Sequence, residues 1–154
     1  MPWYNTGKGY FAQGFFCLWS STTASFYATL VRASYVPAGS HIYASAFSGS
    51  ELSSISFTAG YNGTGRLSIT GRILNINQLS NQAEFQANTL VWSGLSAGTA
   101  GAIVFFQQSG SDALSPLLGY TCAGGFPIVT NNTNLTVSFT SAGASSGRAT
   151  SGRR

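Results

Sequence analysis

Charge is what this sequence has least of. Charged residues make up 6% of its 154 positions, against about 25% in an ordinary soluble domain. The acids are Glu51, Glu84 and Asp112, far apart in the chain and in different expected elements. Hydrolysis by paired carboxylates needs two acids flanking one bond, and nothing in this spacing supplies such a pair. A metal centre needs several converging ligands, whereas the chain has one histidine, His41, and two separated cysteines, Cys17 and Cys122. A serine nucleophile would need His41 as its base, and no Gly-x-Ser-x-Gly elbow accompanies it. The expectation is a protein that is not an enzyme, with no catalytic, cofactor-binding or metal-binding residues. His41 then reads as a polar surface or hydrogen-bonded residue.

Other absences narrow the class further. No run approaches the roughly 18 continuous apolar residues of a membrane span, and Met1-Pro2-Trp3-Tyr4-Asn5 lacks the basic start and apolar core of an export signal. The expectation is a product made in the cytoplasm with no membrane partner. In that setting Cys17 and Cys122, each in an apolar strand-like context, read as buried free thiols rather than a disulfide. The acceptor-like triplets at Asn62, Asn131 and Asn134 read as turn and strand-surface residues. Exposed sheet edges are commonly guarded by Lys, Pro or inward charges, and this chain has only Lys8 and 4 Pro. Its edges are therefore expected to be closed, covered or used in assembly. The net charge of +4 owes three units to Arg148, Arg153 and Arg154, while Lys8, Arg32, Arg66 and Arg72 are scattered. A nucleic-acid face needs clustered cations, so none is expected on the body.

What is abundant is aromatic and apolar material: 11 Phe, 7 Tyr and 3 Trp in a chain that is 44% hydrophobic. That supplies one well-cored domain without a metal or disulfide staple. Glu84-Phe85-Gln86-Ala87-Asn88 alternates before Leu90-Val91-Trp92, as a strand with one wet face does. Ala102-Ile103-Val104-Phe105-Phe106 is apolar without a break and reads as a strand covered on both faces. The Gly-rich run at 93–101 between them predicts a hairpin with a long loop. Further strands are expected at 14–19, 24–31, 66–73, 117–122 and 135–139, with turns at 20–23, 61–65 and 124–127. In the run at 66–73, Leu67, Ile69, Gly71 and Ile73 fall on one face and Arg66, Ser68, Thr70 and Arg72 on the other. Residues 41–47 suit a short strand or an irregular crossing segment, and 50–54 a single helical turn. Gly7-Lys8-Gly9 lacks the following Ser or Thr and the helix of a phosphate loop; the aromatics around it could pin the opening segment across a sheet.

The fold class that follows is all-β: a single-domain antiparallel β-sandwich or jelly roll of about eight strands, spanning 1–140. Residues 141–154 contain only Ser, Ala, Gly, Thr and Arg. Such a segment has too little apolar surface to offset its ordering entropy, so a flexible tail is expected.

Four stretches in order resemble a family of small virion structural proteins of tailed bacteriophages: Tyr4-Asn5-Thr6-Gly7-Lys8-Gly9, Ala83-Glu84-Phe85-Gln86-Ala87-Asn88 into Val91-Trp92-Ser93, the apolar strand through Val104, and Ser115-Pro116-Leu117-Leu118-Gly119-Tyr120. The resemblance implies a capsid decoration or cement protein on the virion surface, with the major capsid protein as partner and a dimeric or trimeric state. It departs from the family where aspartates are usual around the mid-chain strand, which here are Gln86 and Asn88. The alternatives are a tail or fibre-associated protein that binds host glycan, and a stand-alone carbohydrate-binding module. Trp3, Trp19 and Trp92 show no spacing that would make them a sugar platform.

Overall fold

The computed structural model describes residues 4–12, 24–55, 65–77, 82–139 and 148–151. The expected strand at 14–19, the turn at 20–23, most of the turn at 61–65, and Trp3, Cys17, Trp19 and Asn62 lie outside the described residues. In chain order the elements are α1 (Asn5–Ala12), β1 (Phe26–Arg32), a 3-10 turn (Ala44–Ala46), β2 (Leu67–Ser68), β3 (Ile73–Asn77), β4 (Gln82–Gln86), β5 (Leu90–Leu95), β6 (Gly98–Gln107), β7 (Leu117–Thr121), β8 (Ile128–Thr130), β9 (Thr133–Ser138) and β10 (Arg148–Ser151). Every pairing among these strands is antiparallel. The protein is an all-β sandwich.

The central sheet runs β2-β1-β6-β7, with β8 also on β6, and β6 is the strand that the others gather around. Its unbroken apolar run is explained by two covers. Ile103 and Phe105 join a core cluster with Leu30, Trp92 and Leu135, which fills the space toward the small sheets β10-β9-β5 and β3-β4. Val104 and Phe106 point the other way, into a cluster with Tyr4, Tyr35 and Phe47. That second cover is built from the residues beside α1 and the irregular segment 33–50, giving the sandwich an outer layer.

The expected hairpin does not form. β5 and β6 belong to different sheets, and only Ser96 and Ala97 separate them, so most of the Gly-rich run is strand. One of its glycines makes a bulge: Val31 faces Ala102 while Arg32 faces Ala100, leaving Gly101 over. A Cβ there would press on the backbone of Ala33. The extra residue puts Ala100 in one cluster and Ala102 in the other, against simple alternation.

The run at 66–73 also changes face midway. Leu67 and Ile69 are buried as expected, but Gly71 turns with φ +61 and Ile73 becomes exposed at the start of β3. Residues 50–54 are extended rather than helical, with Glu51 bridged to Val31. Cys122 is exposed, contrary to the buried thiol expected, because the chain leaves β7 just before it. Of the expected tail, residues 148–151 pair with β9; backbone hydrogen bonds to an edge require no large side chain. Ten strands are described where about eight were expected, the surplus being short pieces such as β2 and β8.

A helix, α1, encloses Gly7-Lys8-Gly9 where the sequence suggested only a pinned coil. Tyr4 does the pinning, fully buried with its N–H on the Leu118 carbonyl. At Gly7 the helix lies directly on β7, and a Cβ would overlap the Leu118 carbonyl, whereas Gly9 faces open space. The two glycines should therefore respond oppositely to the same change. Gly9→Ala should stabilise by about 0.5–1 kcal/mol through helix propensity. Gly7→Ala should destabilise by about 1–3 kcal/mol, since backbone must shift to admit the methyl group. Urea unfolding midpoints for the two variants check both signs.

Candidate functional site

Arg66 leads into β2 and lies on the outer side of the central sheet, where its side chain is 2% exposed. It is held by carboxylates from two distant segments. Its Nε and Nη2 donate to Oε1 and Oε2 of Glu51 at 2.7 and 2.9 Å. Its Nη1 and Nη2 donate to Oδ1 and Oδ2 of Asp112 at 2.7 and 2.9 Å. Thr29 of β1 adds a hydrogen bond from Oγ1 to Glu51 Oε1 at 3.2 Å. The guanidinium plane lies near the Phe47 and Phe106 rings, 5.5 and 5.2 Å from their centroids. Burial alone would lower the Arg66 pKa, but the hydrogen bonds it donates to Asp112 and Glu51 outweigh that and hold the group above its ordinary value. The guanidinium is a fixed charge, and the clamp as a whole carries one negative charge.

Beside the clamp runs a second polar chain. The hydroxyls of Tyr4 and Tyr35 share a hydrogen bond of 3.1 Å, and that of Tyr35 shares another with His41 Nδ1 at 2.9 Å. The Tyr35 and His41 rings pack 5.5 Å apart. Burial is the main reason both tyrosine pKa values stand above normal, and for Tyr4 the hydrogen bond to Tyr35 adds to it. This chain ties the N-terminal residue of the described fold to the crossing segment 33–50.

The clamp and the tyrosine chain together fix an outer face. Segment 42–45 runs along 112–117 through bonds from Leu117 N to Ile42 O, Ala44 N to Ser115 O and Ser45 N to Asp112 O, at 2.8, 2.8 and 3.1 Å. Asn5 N bonds Gly39 O at 3.0 Å, which brings α1 alongside. On this layer Val36, Ile42, Tyr43 and Leu114 are 75%, 50%, 41% and 61% exposed. Lys8 is its exposed charge on α1. Such a surface can bind by packing. Its carboxylates are already occupied inside.

Sequence reasoning set Glu51 and Asp112 apart as unrelated acids; the fold brings them onto one guanidinium across sequence separations of 15 and 46 residues from Arg66. Glu84 belongs to β4. His41 is hydrogen-bonded and half-buried. Among the described residues no group of three or more potential metal ligands converges. Trp92 is fully buried, with Nε1 donating to Gly65 O at 2.6 Å, and offers no platform for a sugar. Asn134 is an exposed strand residue whose Oδ1 accepts from Gly94 N, and Asn132 takes φ +53 in the turn before β9. The missed signal was Arg66 itself. It sits in the opposite register to Leu67 and Ile69, and a sheet covered on both faces leaves no wet side for it.

Arg66→Met should cost about 3–5 kcal/mol in urea unfolding, because it leaves two buried carboxylates without a counter-charge. Adding Glu51→Gln and Asp112→Asn should recover part of that loss. The tyrosine chain predicts a pH effect of definite sign. Both native pKa values are raised, so the neutral tyrosines' contribution is complete below pH about 10 and declines as pH climbs above it, where the unfolded chain ionises first. Absorbance titration should show at least two of the 7 tyrosines resisting ionisation until alkaline unfolding, and Tyr4→Phe should remove one of them. Compared with known proteins, the chain matches no family model, no curated protein and no solved structure, so the reading of this site rests on its own geometry.

Proposed function

We propose that the protein is a structural component of a bacteriophage virion, a capsid decoration or cement protein that binds the lattice of the major capsid protein and stabilises the head. The observation that carries this reading is the outer face, where large apolar side chains are exposed on two hydrogen-bonded segments while the nearest carboxylates are turned inward. An exposed apolar patch held on a rigid layer suits protein association. The ordered resemblance of four stretches to small phage virion proteins points the same way, as does a surface covered by Ser, Thr, Asn, Gln and Gly.

The work such a protein does is thermodynamic. A subunit that binds the assembled lattice and not the free capsid chain stabilises the assembled form by mass action. A homo-oligomer multiplies weak contacts without any new chemistry at each one. No bond need be made or broken, so the role is not enzymatic, and the site of action is the capsid surface.

Counting copies per particle tests the reading. A lattice-binding protein should approach the abundance of the capsid protein, and purified protein should rebind heads that lack it and raise their disruption temperature. Low copy number together with failure to bind heads would sink the proposal.

A further inference from the structure

The edge of a sheet offers unpaired backbone groups to any further strand, and folded proteins guard such edges with short strands, charge, proline or a covering segment. Among the described residues most edges here are guarded. The edge strands β2 and β8 have two and three residues. β7 is met by other segments, with Leu118 O accepting from Tyr4 N and Leu117 N donating to Ile42 O. Ser93 O of β5 accepts from Ile55 N, and β10 begins with a cation, Arg148. The two-stranded sheet differs. β3 and β4 pair over five residues, from Ile73 with Gln86 to Asn77 with Gln82, and Leu74 and Phe85 anchor this ribbon on the inner core. β4 carries Glu84 at its centre, whereas β3, Ile73-Leu74-Asn75-Ile76-Asn77, has neither charge nor proline. Among the described residues β3 pairs with β4 alone, and Arg72 just before it donates to the carbonyls of Ala24 and Ile69. Two strands by themselves are marginally stable in water, and a third strengthens the set.

We propose that β3 is a self-association edge, to which β3 of a second copy adds antiparallel about a two-fold axis at Asn75, joining two ribbons into one four-stranded sheet. That axis sets Asn75 opposite its own equivalent, Leu74 opposite Ile76 of the second copy, and Ile73 opposite Asn77 of the second copy. No charge meets a like charge in this register. The same operation through β4 would set Glu84 opposite Glu84, which destabilises an antiparallel pair, so charge selects β3. The two copies of Arg72 would stand six positions apart along the ladder, about 20 Å, which keeps their repulsion small. An edge this short buries much less than the roughly 1,600 Å² of a standard interface, so the contact is weak and depends on concentration. It strengthens wherever copies are already held close. The contact needs no capsid, and it stands or falls apart from the virion reading.

Sedimentation of the purified full chain across roughly 0.01 to 1 mM tests for the dimer, which should appear as concentration rises. Cysteine crosslinking tests its register. In a Cys17→Ser, Cys122→Ser background, Asn75→Cys should form covalent dimers on mild oxidation, because the position faces itself. Ile73→Cys alone should give about tenfold less dimer, since its equivalents lie about 14 Å apart along the ladder, and mixing it with Asn77→Cys copies should restore the yield. Asn75→Lys should weaken sedimenting association about tenfold by setting two cations face to face. The fold should tolerate that change because Glu84 lies opposite residue 75 on β4, and thermal melts check it for every variant. A chain that stays monomeric across the whole range, or that crosslinks as readily at 73 alone as at 75, overturns the proposal. Dimers trapped through Glu84→Cys in place of Asn75→Cys put the contact on β4 and overturn it as well.

Discussion

One guanidinium joins three parts of the chain that lie far apart in sequence. Glu51 belongs to the segment that bridges Val31 of β1, Arg66 leads into β2, and Asp112 sits in the turn between β6 and β7. Each carboxylate accepts two of the guanidinium's hydrogen bonds, so small displacements break paired contacts in a water-poor setting. Phe47 and Phe106 close over the group and exclude solvent. A buried ion pair of this kind is weak support for net stability, since an apolar replacement can do as well. Its clearer effect is positional. An apolar surface slides readily, and the clamp selects one placement of the outer layer on the sheet.

That constraint depends on β6 being covered twice. With one wet face, Arg66 would reach water and neither acid would have reason to converge on it. With two covers, the alternate residues of β1 divide between clusters: Phe26, Ala28 and Leu30 inward, Tyr27 and Val31 outward, with Thr29 beside the clamp. The stacking of Tyr27 on Phe106, cross-strand partners with ring centroids 5.9 Å apart, extends the outer cluster along the same face. The bulge at Gly101 then lets β6 serve both clusters over its length.

Local pattern carried the fold class and failed on topology. The run 102–106 is apolar at every position, which is legible because burial on two faces demands it. Whether β5 turns back onto β6 or crosses to another sheet depends on partners far away, β9 for one and β1 for the other, and both choices put Gly and Ser in the link. By pattern Gly71 is one more residue of an extended run; its positive φ ends that run, and a Cβ there would collide with the Asn88 side chain. The candidate site was the least legible part. Three charged residues scattered through a charge-poor chain look like solvated surface, and only closure of the whole sandwich makes them one buried group.

Net charge read from composition misjudges this surface for the same reason. Counting all residues suggests a body near neutrality with a basic end; the clamp turns two of the three acids inward onto Arg66, leaving their side chains 11% and 9% exposed. Among the described residues the charges outside the clamp whose side chains are placed are Lys8, Arg32 and Arg72, few enough to give little repulsion between apolar patches. A protein built this way is poorly guarded against association in general, so specificity must come from where the apolar side chains are fixed. On the outer layer they are fixed by hydrogen bonds from segment 42–45 to 112–117 and by the carboxylate of Asp112 beneath. The same internal ion cluster thus removes negative charge from the surface and holds the apolar side chains in place, two consequences of turning one carboxylate inward.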